Sequence, residues 1–168
     1  MGMTWSVGRV LIVVAVLGMV AFWAWIFSGA PARYNADYLD RAYAAELEQR
    51  CEQLRDELAT YPNAIDAVDQ DERADILDDT NPVVAAFIDD LDAGAPTSGD
   101  AATSMEGWIA DWRTYLANRE DYADRLRTEE NAQLLLDRSP LGDSVDKTIQ
   151  VFAQVNEIEA CETPGDVG

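Results

Sequence analysis

Residues Val10 to Phe27, VLIVVAVLGMVAFWAWIF, run eighteen positions without a charge, and all thirty-two carboxylates of the chain come after them. About 20 residues at ~1.5 Å each cross a hydrocarbon core of ~30 Å, so this run predicts a membrane-spanning helix, assigned to residues 10–28. A cleaved secretory signal is the competing reading, with Ser28-Gly29-Ala30 and Ala30-Pro31-Ala32 as approximate cleavage sites. The length of the run, the bulky Phe22, Trp23, Trp25, Ile26 and Phe27 upstream of those sites, and Pro31 among them favour a retained anchor. Trp5 on one side and Trp23 with Trp25 on the other lie where amphipathic rings prefer the head-group level.

The rest of the chain is divided around this anchor. Residues 1–9 form a short stub, 29–33 a joint broken at Pro31, 34–161 an acidic helical domain and 162–168 a flexible tail. Arg9 and the amino terminus on the short side favour a cytoplasmic N-terminus. A short inner stub before a large outer domain is the usual signal-anchor layout. The expectation is a single-pass protein of a bacterial cell membrane, with its C-terminal domain extracytoplasmic.

Without Arg9, eleven basic residues face thirty-two acids, so the part beyond the anchor carries a formal charge of −21. Such a field repels phosphate backbones and anionic lipid, which argues against nucleic acid as a partner and favours cationic ones. The chain contains no histidine. Ser-His-Asp triads, Cys-His pairs, His-ligated zinc or di-iron sites and imidazole proton shuttles are thereby removed.

Helical periodicity dominates the domain. From about residue 34 to 60, Tyr43, Leu47, Cys51, Leu54, Leu58 and Tyr61 recur at steps of three and four, placing them on one stripe. Residues 64–77 form a weaker helix. Asn81-Pro82 reads as the start of another, with Asn81 as cap and Val83, Val84, Phe87, Ile88 and Leu91 as its buried face. Residues 92–104 read as a loop, and Thr103 with Glu106 as a capping box for the strongest helix, 105–128. A last helix spans about 144–160. No stretch alternates with period two, so the fold class is all-α: an antiparallel bundle of four to five helices behind one membrane anchor.

Four features bear on function. Cys51 and Cys161 lie about 110 residues apart without a C-x-x-C, which predicts a structural disulfide in an oxidising compartment over redox catalysis. Ser144-x-x-Lys147 matches a spacing used by Ser-Lys hydrolases, but S-D-N and K-T-G companions are missing; Ser144 as helix cap and Lys147 as a surface partner of Asp143 and Asp146 is the simpler reading. Carboxylates at 66–79 and at Asp89, Asp90 and Asp92 fail the EF-hand pattern, so no metal site is assigned. Trp108, Trp112, Tyr115 and Tyr122 are candidate partner contacts, although their spacing with Met105, Ile109, Leu116 and Leu126 also suits a core. Arg113, Arg119, Arg125 and Arg127 read as surface partners of nearby acids.

With no catalytic set and no cofactor motif, the chain is read as not an enzyme. The expected function is an acidic interaction or scaffold module for a protein partner, an accessory subunit of a membrane or envelope complex. An extracytoplasmic small-ligand-binding domain is the alternative, and a Ser-Lys hydrolase a remote one.

Overall fold

Five helices and no strand make up the described residues of this computed structural model, which are 7–27, 39–140 and 142–167, with the side chains of Val7, Arg9, Ile26 and Phe27 outside the description. Helix α1, Val7–Phe27, has 21 residues and so a length of about 31 Å. Its side chains from Val10 to Trp25 are exposed. Among the described residues, no helix is long and apolar enough to cross a membrane. The membrane-spanning helix expected over 10–28 is therefore not shown by the described residues. Residues 28–38, which hold the expected joint and the expected start of the domain, lie outside the described residues, as does Trp5.

Helix α2, Arg41–Leu58, begins where Asp40 accepts hydrogen bonds from the Ala42 and Tyr43 amides at 2.9 and 3.4 Å. Its stripe Ala44, Leu47, Cys51, Leu54 and Leu58 is buried. A 3-10 turn, Ala64–Asp66, follows under an Asn63 cap. The weak helix expected over 64–77 and the one expected from Pro82 are instead this turn and a single helix α3, Gln70–Ala93, capped by Asp69. Pro82 lies inside α3, where it removes the bond to the Asp78 carbonyl. Both residues are exposed, so the carbonyl left over is on the solvent side.

The connection expected over 92–104 is also shorter than the sequence suggests. Helix α4, Gly99–Leu126, starts well before the Thr103-Glu106 box, because Ala101 and Met105 pack on the core and hold its first turn. Arg50 closes the preceding turn by donating to the Asp90 carbonyl at 3.2 Å, near the negative end of α3. Gly94 makes room for it: a Cβ there would stand 2.3 Å from an Arg50 nitrogen. Helix α5, Val145–Val155, ends in a Schellman motif, with the Ile158 amide donating to Ala153 at 2.9 Å and Glu157 at φ 57°. A 3-10 turn, Glu159–Cys161, completes the set.

Helices α3 and α4 run antiparallel, since Asp92 meets Arg113, Asn81 meets Arg119, and Asp75 meets Arg127. Their apolar stripes form two separate clusters. One holds Val84, Phe87, Ile88 and Leu91 against Met105, Ile109 and Trp112, and the other holds Ala74, Ile76 and Leu77 against Tyr122 and Leu126. Between them lies a buried polar layer of Thr80, Asn81, Asn118 and Arg119. Cys51 and Cys161 stand at disulfide distance, sulfurs 1.96 Å and Cα atoms 5.0 Å apart, both buried in the larger cluster. Two residues of the expected flexible tail are held in the fold: Asp166 pairs with Arg119, and Val167 is buried in the smaller cluster.

Candidate functional site

The apolar side chains of α5 do not all face inward. Val145, Ile149 and Ala153 are buried, whereas Val151 and Val155 remain 45% and 44% exposed. They border a groove of about 530 Å³ between α5 and the first half of α4. Gly107 leaves its α4 side open, since a Cβ there would meet no atom within 4 Å. Trp108 forms an inner wall, stacked on Phe152 with ring centroids 4.8 Å apart and planes 20° from parallel. Such offset stacking fixes both rings beyond their burial alone.

The third wall is the segment before α5. The Ser139 amide donates to the Asp143 carbonyl at 2.8 Å, and Gly142 at φ 95° lets the chain reverse there. Arg138 donates to the Gly142 carbonyl at 2.7 Å. Charge enters the lining through Asp111 on α4 and through Asp143 and Lys147 at the other side. The result is an apolar trough with ionic rims.

A second cavity is a poorer candidate because its polar groups serve the fold. A space of about 570 Å³ near Arg73 is braced by Gln70, which bonds the Glu129 carbonyl at 3.0 Å and the Asn131 amide at 3.2 Å. Arg73 itself donates to the Ala64 carbonyl at 2.9 Å and the Tyr122 hydroxyl at 3.2 Å.

The residues singled out from the sequence fall in different environments. Trp108, Trp112, Tyr115 and Tyr122 are all buried, so they do not form an exposed aromatic strip; only Trp108 also lines the groove. The reason is that their stripe is the face α4 turns to the other helices. The indole N–H groups of Trp108 and Trp112 have no hydrogen-bond partner among the described residues. Ser144 and Lys147 are not brought together: the Ser144 hydroxyl donates to Asp146, and the Lys147 amine to Gln150 at 3.2 Å. Ser144 occupies the N-cap position without making a cap bond.

The carboxylate clusters are used structurally. Asp69 caps α3 through the Glu72 amide at 2.8 Å, Asp75 and Asp78 each hold Arg127 at 2.8 Å, and Asp92 holds Arg113 at 2.9 Å. Among the described residues, no group of three or more His, Cys, Asp or Glu is placed to hold a metal ion.

Arg119 departs most from the sequence reading. Its side chain is fully buried, and it donates to Asn81 at 2.8 Å, to Thr80 at 3.0 Å and to Asp166 at 2.6 and 3.0 Å. Burial acts to lower its pKa, but the hydrogen bond to and charge of Asp166 outweigh it and hold the guanidinium above its ordinary value. The signal was present in the sequence: Tyr115, Arg119 and Tyr122 are four and three apart, on the buried stripe. Of the expected local pairs, Arg125 with Asp121 at 2.7 Å is formed, whereas Arg113 and Arg127 reach across to α3. Comparison with known proteins finds no matching family model, no matching curated relative and no matching solved structure.

Proposed function

We propose that this chain is a membrane-anchored interaction module whose acidic, disulfide-closed helical domain stands outside the cytoplasm and takes a protein partner in the groove beside α5. The observation that carries the reading is the pair Val151 and Val155, open to solvent beside Trp108 and Phe152 in one groove, whereas the other exposed large apolar side chains of the domain, Ile65, Val68 and Leu135, lie outside it. Apolar surface of this kind, rimmed by ions, is characteristic of contact sites. The uncharged run at 10–27 supports the anchor, and the Cys51–Cys161 pair supports an oxidising side.

A photo-crosslinking residue placed at Val151 in cells tests this. The expected result is a discrete adduct in the carbonate-resistant membrane fraction, absent when the same residue instead replaces Ala86, an exposed position on α3. Equal adducts from both positions, or recovery of the chain in the soluble fraction, would refute it.

A small apolar ligand is the second reading, favoured by the groove volume of about 530 Å³ and its stacked Trp108–Phe152 wall. Native mass spectrometry of the gently solubilised chain would reveal it as a constant added mass, lost when Val151 and Val155 are replaced by Glu.

A further inference from the structure

Resting on the reading of the groove as a protein-docking site, we infer that its occupant is a basic amphipathic segment of another protein. One side of that segment must be apolar, because Val151, Val155, Trp108 and Phe152 offer no polar atom to a partner except the buried indole. Its other side must be cationic. Asp111 and Asp143 against Lys147 leave the rim net negative, and the part of the chain beyond the uncharged run carries −21. A field of that sign raises the encounter rate of cationic partners and suppresses anionic ones.

The same argument removes a second copy of this chain as occupant, since two such domains repel one another at close range. Gly107 suits the proposed partner as well. With no side chain at that point on α4, a backbone or a bulky apolar residue can approach the groove closely.

The test uses the full chain in nanodiscs of zwitterionic lipid, with binding to empty discs subtracted. Four labelled peptides of about 18 residues, or five helical turns, are compared by fluorescence anisotropy. They are an amphipathic Leu/Lys helix, the same helix with Gln for Lys, the same with Glu for Lys, and a scrambled Leu/Lys sequence. Each is measured on the native chain and on Val151→Glu/Val155→Glu, whose two sites are exposed and so leave the fold intact.

The Leu/Lys helix is expected to bind at least about tenfold more tightly than the Gln, Glu and scrambled peptides, and to weaken about tenfold on the double variant. The added carboxylates make this decisive: simple charge attraction would tighten, while docking on the apolar wall must loosen. Tighter or unchanged binding of the Leu/Lys helix to the variant overturns the inference. If the Gln helix binds as well as the Leu/Lys helix and both weaken on the variant, the groove is a docking site but its partner is not basic. If no peptide depends on Val151 and Val155, the docking reading fails together with it.

Discussion

Arg119 and Asp166, 47 residues apart in the chain, meet through two hydrogen bonds of 2.6 and 3.0 Å, with the Arg119 side chain wholly out of solvent and that of Asp166 17% exposed. The pair joins the middle of α4 to the residues after the last 3-10 turn. Thr80 and Asn81 supply two further acceptors, within the layer that separates the two apolar clusters.

Removing one side of a buried ion pair strands the other, at a cost of about 3–5 kcal/mol. Arg119→Ala and Asp166→Ala are each expected to lower stability by about that much. The double change Arg119→Ala/Asp166→Ala should lose clearly less than the two single changes added together, because no charge is then left unpaired. Urea denaturation of the full chain in micelles, followed by tryptophan emission, measures all of these. Additive losses would show that the two side chains act independently.

The closure between Cys51 and Cys161 spans 110 residues. Chain entropy for a loop of that size amounts to about 4–5 kcal/mol. Cys51→Ala/Cys161→Ala should therefore unfold at distinctly lower denaturant concentration with little change in helix content beforehand. An unchanged midpoint in circular dichroism would refute a stabilising role.

Tyr115 sets an alkaline limit. Burial raises its pKa above 10.0, against the lowering influence of Arg119 beside it. Below the unfolded value both states keep the proton and stability is intact. As pH rises past it, the unfolded chain releases the proton first, so stability falls until the folded value is passed. Tyr115→Phe should flatten this decline in denaturation midpoints above pH 10; an unaltered slope would assign it to other groups.

Gly107 sits in the interior of α4 with open space where a Cβ would go. Gly107→Ala should therefore raise stability by about 0.4–1 kcal/mol, chiefly by restricting the unfolded chain. A lower midpoint in the same urea assay would mean that the glycine is needed by the folded domain.

The helical class, the buried stripe of α2 and the cysteine pairing were legible because each follows from spacing along one element. The interior of α3 was not. Asn-Pro looks the same at the start of a helix and within one, and what decides is tertiary: the Asn81 side-chain oxygen accepts from Arg119 and is unavailable as a cap. The early start of α4 is similar, since 99–104 is poor in large apolar residues and owes its helicity to packing of Ala101 and Met105. Arg119 was obscured by its charge, although its register matched the stripe. The groove could not be read at all, because it arises between two helices and a turn that only the fold brings side by side.

Cys51 is synthesised long before Cys161, and the bond between them lies in the interior of the domain. Covalent closure therefore has to wait until the chain has been made as far as Cys161. Until then the inward face of α2 waits for its cover, and a product that ends before Cys161 can never be closed.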